Sequence, residues 1–415
     1  MQALTFDIRP WRWVACRVLG IVARGVYFSA LSGLRLRNLP EPELPGPQWV
    51  RLRTLLGGIC GTDLGLILQR SHPASLLRSF TSFPVVLGHE NVAVIDRVGA
   101  AVTGYAVGDR VCVEPSLSCA VRGITPLCGQ CQAGLFSLCD GFLDGDLPPG
   151  TMIGLNAFTG GSWAPYFIAH VSQLHRVPDA VDDAAAVLVD PLACSLHGVL
   201  RCSPSDDQRV LVQGGGIIGI GVVAALRALD CHALVTALVR RPHQAQMMRS
   251  FGASDVILSP ANESSAERYD RVAAAVAGRR VPAGFGNQAL IGGFDVVYDC
   301  VGTGAGLTDA MKFARSRGTV VALGTCGISI VDTTPLWFNE VTVLGGYGRQ
   351  IENAAGEPAR HTYRLVLDLM GAGKLPTDGL LTHTFALPDY RAALRTAASR
   401  GRVPAVKVAF RHESS

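Results

Sequence analysis

One set of residues in this chain has the side-chain types that bind a catalytic metal. Cys60 supplies a thiol, His89 an imidazole, and Glu90 or Asp190 a carboxylate. A catalytic zinc ion is bound by about three such side chains and keeps one position open for water or substrate. A lone cysteine or histidine is more often a core residue, but the combination predicts an open zinc site.

Two residues that follow Cys60 extend this site. Thr62 carries a hydroxyl that can contact an alcohol at the metal and pass its proton outward. Asp63 can orient a ligand imidazole from behind, and its alternative role is to cap a turn. Cys60, Thr62 and His89 are therefore the predicted catalytic residues.

A second set of residues is a glycine-rich turn at 214–219, which reads Gly-Gly-Gly-Ile-Ile-Gly directly after an apolar run. In a G-x-G-x-x-G turn the glycines allow a tight bend, close approach of a pyrophosphate and close helix packing. The following helix offers free N–H groups to the phosphates. The alternative is a glycine-rich turn of another α/β protein. The residues expected to contact the cofactor are Gly214, Gly216, Ile217, Ile218 and Gly219.

The end of the next apolar strand indicates which dinucleotide binds. NAD-binding proteins normally place an acidic residue there, but residues 238–243 read Leu-Val-Arg-Arg-Pro-His. Arginine suits phosphate geometry, so Arg240 and Arg241 predict NADP in preference to NAD. The alternative is that both arginines belong to a solvated loop.

A cysteine cluster predicts a second zinc ion with a structural role. Cys128, Cys131 and Cys139 have the spacing C-x2-C-x7-C, and Cys119 lies upstream as a candidate fourth ligand. Four thiolates make a closed tetrahedral site. The alternative is a degenerate lobe without metal.

Composition limits the class of protein. The chain has 415 residues, 48% of them hydrophobic and 17% charged, so two domains with large cores are expected. The net charge of +4 is spread out, without a basic stripe for nucleic acid. Three arginines interrupt the apolar segment from Trp11 to Leu34, whereas a membrane span needs about 20 mostly uncharged residues. We predict a cytoplasmic protein with buried first strands, no nucleic-acid or membrane partner, and a small-molecule substrate.

The order of predicted elements changes twice along the chain. Up to residue 190, short strands alternate with Gly/Pro turns, which is typical of a β domain. Strands and helices then alternate to residue 342, as in a parallel sheet with helices on both faces. Residues 262–293 are less regular, with a loop near 282–286. From 343 to 415 the pattern is mixed again and is expected to complete the first domain.

Five segments together resemble the zinc-containing medium-chain dehydrogenase/reductase superfamily, nearer its threonine 3-dehydrogenase and sorbitol dehydrogenase branch than its liver alcohol dehydrogenase branch. In the family's order they are residues 57–63 (GGICGTD), 84–90 (PVVLGHE), 107–111 (VGDRV), 190–193 (DPLA) and 214–219. The segments span most of the chain, and in combination they are highly specific.

The resemblance implies an α/β protein with two domains. A GroES-like, β-rich catalytic domain would comprise residues 1–190 and 343–415, and a Rossmann domain with a doubly wound parallel sheet residues 191–342. Zinc would bind Cys60 and His89, with Glu90 and Asp190 as ligands or near neighbours. Asp190 is one methylene shorter than the family's glutamate, so direct or water-mediated contact stays open. Thr125 replaces a cysteine of the family's structural lobe.

The implied activity is reversible hydride transfer between an alcohol, secondary or polyol, and NAD(P), in a homodimer or homotetramer. Two alternatives remain open from the sequence. One is a zinc-free quinone or enone reductase of the same superfamily, which would lack Cys60 and His89. The other is a redox sensor or scaffold that binds NADP without catalysis, to which Thr62 beside the ligands would bring no advantage.

Overall fold

The computed structural model describes residues 1–70, 72, 74–76, 80–325, 327–352, 358–399 and 402–413. Strands β1 to β8 precede the glycine-rich turn: Gln2–Phe6, Leu34–Asn38, Trp49–Gly58, Val85–Val86, Asn91–Val98, Arg110–Val113, Tyr166–His170 and Leu174–Arg176. Strands β9 to β16 are Arg209–Gln213, Leu234–Val239, Asp255–Leu258, Arg279–Pro282, Gln288–Ile291, Phe294–Asp299, Ala314–Ala322 and Thr342–Gly345. Strands β17 to β20 are Ile351–Glu352, Arg360–His361, Leu381–Ala386 and Lys407–Arg411.

Helices flank both parts of the chain. Helices α1 to α6 are Pro10–Leu19, Gly61–Ile67, Gly129–Gln132, Asp183–Ala186, Val189–Arg201 and Ile217–Ala228. Helices α7 to α12 are Pro242–Ser250, Ser265–Ala275, Gly304–Phe313, Thr334–Phe338, Thr362–Gly371 and Tyr390–Ala397. Among the described residues, no helix is both long and apolar enough to cross a membrane.

A seven-stranded sheet positions the predicted metal ligands. Its order is β19-β20-β3-β5-β6-β8, with β7 also paired to β3. Strand β3 ends just before Cys60, and β5 begins just after Glu90. The two strands are antiparallel with Gly57 opposite Asn91, so the end of one strand meets the start of the other. This register brings residues 60 and 89–90 together although they are far apart in sequence.

A six-stranded parallel sheet follows, with the order β11-β10-β9-β14-β15-β16. This is the doubly wound order in which a dinucleotide binds where the strand sequence reverses, outside the carboxyl ends of the strands. The reversal here lies between β9 and β14. The glycine-rich turn directly follows β9, so the fold places it at the expected crevice.

Most predicted elements are confirmed, including β3, β5, β6, β7, α6, β10, β14 and α11. Two expectations were correct only in part. The loop near 282–286 is the connection between β12 and β13, but residues 262–293 also contain α8, because Ser264 and Glu267 form a capping box that starts a helix. Strand β1 is buried as expected, but the segment after it contains the partly exposed helix α1, since Pro10 favours a helix start.

Candidate active site

Three predicted ligands meet where β3 and β5 connect to their loops. Ligand atoms of Cys60, His89 and Glu90 all lie within 4.8 Å of one another. His89 and Glu90 are buried, whereas Cys60 is half-buried and opens toward solvent. Cys60 precedes the first turn of α2, and its N–H donates to Asp63 Oδ2 at 2.9 Å.

The state of His89 tests whether a metal fits. The side chain is buried, yet neither Nδ1 nor Nε2 has a hydrogen-bond partner among the described residues. An unpartnered buried polar group is costly. Asp63 Oδ1 lies 3.6 Å from His89 Nδ1, where it can orient the ring, so Asp63 is placed for both the capping and the orienting role. A cation between these side chains would give a ring nitrogen of His89 the partner that it lacks. Thiol, imidazole and carboxylate groups are ligands that suit zinc.

Glu90 has a partner that sequence reasoning missed. Lys407 Nζ lies 2.6 Å from Glu90 Oε1 and 2.8 Å from Oε2, and both side chains are buried. Lys407 also donates to Ile59 O at 3.4 Å. A paired ammonium is what a buried carboxylate requires. No local pattern reveals the pair, because its members are 317 residues apart.

Asp190 is not among the three side chains whose ligand atoms lie within 4.8 Å of one another, and its carboxylate is bound by two other side chains. Arg349 donates to Asp190 Oδ1 from Nε at 2.6 Å and to Oδ2 from Nη2 at 3.0 Å. Tyr363 adds a third hydrogen bond at 2.7 Å. Burial acts to raise the pKa of Asp190, but the Arg349 guanidinium lowers it to about 2. The carboxylate is therefore ionised and engaged by protein donors on both oxygens.

Thr62 stands at the open side of this group. Its Oγ1 lies 3.7 Å from Cys60 Sγ, and its side chain is half-buried. The hydroxyl is thus next to one ligand and within reach of solvent. This position permits contact with a substrate oxygen and transfer of a proton outward.

The cysteine lobe brings together all four predicted thiols. Ligand atoms of Cys119, Cys128, Cys131 and Cys139 lie within 4.8 Å of one another, and the Sγ of Cys139 is 3.5 Å from that of Cys119 and 4.0 Å from that of Cys128. None of the four forms a disulfide. Tetrahedral Zn–S bonds of about 2.3 Å separate the sulfur atoms by ~3.8 Å, which this spacing matches.

The electrostatics differ among the four thiols. Burial raises the pKa of Cys131, and it raises that of Cys139 to about 11, whereas Cys128 is favoured as thiolate. Burial acts to raise the pKa of Cys128, but the N–H groups of Cys131 and Asp140 lower it to about 6. The N–H of Cys128 in turn points at Cys119 Sγ at 3.4 Å. Backbone donors aimed at sulfur stabilise thiolate, which is the form that binds metal.

The glycine-rich turn has the shape of a phosphate cradle. Gly214 has φ +114° directly after β9, and a Cβ at Gly219 would lie 1.9 Å from Gly214 O. In contrast, a Cβ at Gly216 would meet nothing within 4 Å. Helix α6 begins at Ile217, so the open space faces the free N–H groups of its first turn. Backbone with open space at a helix N-terminus is what a pyrophosphate requires.

The two predicted arginines lie at the end of β10. Arg240 is exposed and Arg241 half-buried, at the start of α7. No carboxylate of the described residues lies within 4.0 Å of either guanidinium, although the charge of Arg240 acts on Asp309. Strand β10 ends at Val239 and is followed directly by the two arginines. No acidic side chain therefore stands at the end of this strand.

Two family descriptions match this architecture. "Alcohol dehydrogenase GroES-like domain" matches residues 46–179, and "Zinc-binding dehydrogenase" matches residues 218–371. This chain belongs to the zinc-containing medium-chain dehydrogenase/reductase superfamily. It is a zinc-dependent oxidoreductase of the alcohol dehydrogenase type, which transfers hydride between an alcohol and NAD(P).

Curated relatives and solved structures agree with this assignment to the medium-chain dehydrogenases. The chain is 28% identical to an L-idonate 5-dehydrogenase of Vitis vinifera, over 92% of this chain and 93% of the relative. It is 26% identical to a sorbitol dehydrogenase of Arabidopsis thaliana, over 92% and 94%. A protein assigned as a zinc-binding dehydrogenase from Sinorhizobium meliloti 1021, bound to NADP, superposes with a TM-score of 0.69 at 26% identity, over 91% and 96%. A Bacillus subtilis 2R,3R-butanediol dehydrogenase shares the fold, with a TM-score of 0.68 at 23% identity, over 92% and 96%.

Proposed function

We propose that Cys60, His89 and Glu90 form the catalytic zinc site of a secondary-alcohol or polyol dehydrogenase. The observation that carries the proposal is a buried imidazole without partners, beside a thiol and a carboxylate. Relatives named for sorbitol and L-idonate favour a polyol substrate. When bound, zinc supplies a Lewis acid and nicotinamide a hydride acceptor.

The residues of the chain then have separate tasks. Thr62 accepts the proton of the substrate hydroxyl and donates its own toward solvent. Asp63 holds the His89 ring, and Lys407 balances the charge of Glu90. Asp190 forms a buried ion pair with Arg349 and has no direct task at the zinc ion. The turn at Gly214, Gly216, Ile217, Ile218 and Gly219 holds the dinucleotide.

Zinc quantification combined with turnover tests the proposal. We expect two zinc ions per chain in the wild type, one of them held by Cys119, Cys128, Cys131 and Cys139. Cys60→Ala should retain one zinc ion and lose turnover with a panel of secondary alcohols and polyols. The matched control is Cys231→Ala, because Cys231 belongs to neither cluster. Unchanged nicotinamide-dependent turnover in Cys60→Ala would show that the zinc mechanism is wrong.

We propose NADP as the preferred cofactor, because Arg240 and Arg241 follow β10, where a 2′-phosphate would bind, and no acidic residue stands there. One solved neighbour is bound to NADP, whereas others are bound to NADH or NAD, so the proposal depends on the two arginines. Replacing both arginines with alanine should raise the KM for NADP at least tenfold and leave the KM for NAD nearly unchanged. Arg249→Ala, on the same helix α7, is the control. If the KM values for NADP and NAD changed equally, Arg240 and Arg241 would belong to a solvated loop that does not distinguish the two cofactors.

We also propose a division into domains and a homo-oligomer. The catalytic domain would comprise residues 1–190 and the segment after β16, since β20 pairs with β3. The boundary expected at 342 moves to 345, because Val343 pairs with Val320 in the parallel sheet. Strand β16 is the last strand of that sheet and is largely exposed, which favours pairing with a second copy.

A further inference from the structure

The segment between β1 and β2 is far longer than its connection requires. The two strands are antiparallel neighbours with Phe6 opposite Leu34, so a short turn would join them. Residues 7–33 instead form α1 and two 3-10 helices, Arg24–Phe28 and Ala30–Ser32. This segment precedes residue 46, where the first matched family region begins. We call residues 7–33 the N-terminal excursion.

The excursion is fixed to the body of the protein. Phe28 of the excursion is buried in the core cluster that includes Leu4, and Arg391 Nε on α12 donates to Phe28 O at 3.2 Å. Within the excursion, Cys16 on α1 is buried, and α1 packs against the two 3-10 helices. Helix α1 is therefore held through these 3-10 helices, and its other side is exposed.

That outer side is apolar. Trp11, Val14 and Val18 follow one another at helical spacing and are exposed. The turn after α1 adds Ile21 at 84% exposure and Val22 at 93%. Single exposed apolar residues are common, but a group of this kind marks an interaction surface.

The same surface is positively charged. Arg17 and Arg24 are exposed around the apolar group, whereas the exposed Arg9 is paired with Asp7 at 3.2 Å. No aspartate or glutamate occurs between Asp7 and Glu41 in the sequence. Arginine beside tryptophan and aliphatic residues is the composition of helices that lie in the surface of an anionic membrane. The side chains can insert their apolar parts while the guanidinium groups stay among the headgroups.

We propose that the N-terminal excursion docks this dehydrogenase on anionic phospholipid bilayers, with α1 lying in the membrane surface. A second copy is a poorer occupant, because a symmetric contact through this face would set arginines against arginines. The ten residues of α1 extend about 15 Å, half of a hydrocarbon core of about 30 Å, so the helix lies on the bilayer. The proposal replaces the expectation of no membrane partner, which considered only a span.

Vesicle co-sedimentation of the full-length enzyme tests the proposal. We expect binding to vesicles of 30% phosphatidylglycerol in phosphatidylcholine, and at least tenfold weaker binding to phosphatidylcholine alone. The variant W11S/V14S/I21S/V22S should lose binding more than tenfold. R17Q/R24Q should weaken it by about fivefold per arginine, and salt should weaken the wild type. Turnover in solution should be unchanged in all variants.

The control is Phe285→Ser, which removes a fully exposed aromatic residue on the β12–β13 hairpin. This variant should bind vesicles as the wild type does. The proposal is overturned by equal binding to neutral vesicles, by no binding at low salt, or by self-association that depends on Trp11 and Val22. The last result would identify a second copy as the occupant.

Discussion

At the residue scale, the site is built from buried charges that come in pairs. Glu90 is paired with Lys407, and Asp190 with Arg349. Removing one partner of a buried pair typically costs about 3–5 kcal/mol, because the other charge is left uncompensated. Arg349 therefore keeps the pKa of Asp190 low. Burial raises the pKa of Glu90, and the Lys407 ammonium opposes that rise.

Thr62 is the residue whose hydroxyl we expect to affect chemistry alone. Thr62→Val keeps the side-chain shape but removes the proton path, so kcat should fall by about 100-fold or more. Zinc content and cofactor affinity should stay constant. Steady-state kinetics and zinc analysis provide the measurement.

Thr62→Ser is the matched variant, since it restores the hydroxyl. It should recover most of kcat. If Thr62→Val retained full kcat, or if the serine variant were as slow as the valine variant, Thr62 would have a packing role only.

The sequence predicted that Cys60, His89 and Glu90 lie together, because residue type and local motif indicate candidate ligands. It did not reveal Lys407 or Arg349, because a countercharge is recognised only by its position in space. Arg349 also has φ +66°, a conformation that an arginine rarely adopts and that no local pattern indicates. For the same reason, the engagement of Asp190 by Arg349 was beyond reach from the sequence.

At the element scale, periodicity predicted the long strands and helices, since their buried faces repeat regularly. The helix α8 was missed because its start depends on a capping box, a two-residue signal inside a polar stretch. The helix α1 was missed because its exposed face is apolar, so the segment did not show the usual contrast between a buried and a solvated side.

Acid should loosen the contact between β8 and the start of α11. Burial lowers the pKa of His175 on β8 to about 4, against an ordinary value of about 6.5. Between these values the unfolded chain binds a proton that the folded chain does not. The contribution of neutral His175 to the free energy of unfolding is therefore fully present above about pH 6.5. It decreases by about 3 kcal/mol as the pH falls to 4.

His175→Phe should remove this part of the acid sensitivity. The His175 ring lies 4.5 Å from that of His361 and 5.2 Å from that of Tyr363, and phenylalanine can keep these contacts. Urea unfolding at pH 5 and 7.5 measures the difference between the two pH values, which should shrink in the variant. The control is His232→Phe, at an exposed histidine, which should lose as much stability between pH 7.5 and 5 as the wild type. If His175→Phe also lost as much as the wild type, His175 would not be the source of the acid sensitivity.

At the scale of the whole molecule, the parallel sheet ends in β16 with apolar residues around it. Val343 on this strand and Trp337 and Phe338 on α10 are exposed. Pairing of two copies along β16 would cover them. We expect Val343→Lys combined with Trp337→Ser to convert the proposed homo-oligomer to monomers, because a charged edge strand resists pairing.

Analytical ultracentrifugation measures this change in mass. Val107→Lys, at another exposed valine, should leave the mass unchanged. If the wild type were already monomeric, there would be no subunit contact to explain. If the double variant remained associated, the contact would lie elsewhere on the surface.

The pair of Lys407 and Glu90 has a consequence for synthesis of the chain. Glu90 leaves the ribosome long before Lys407, 317 residues later. Until β20 pairs with β3, the nascent sheet carries an unbalanced acid beside Cys60 and His89, the other two proposed ligands. Early metal capture by the growing polypeptide would therefore occur at a more strongly anionic site than the one in the finished enzyme.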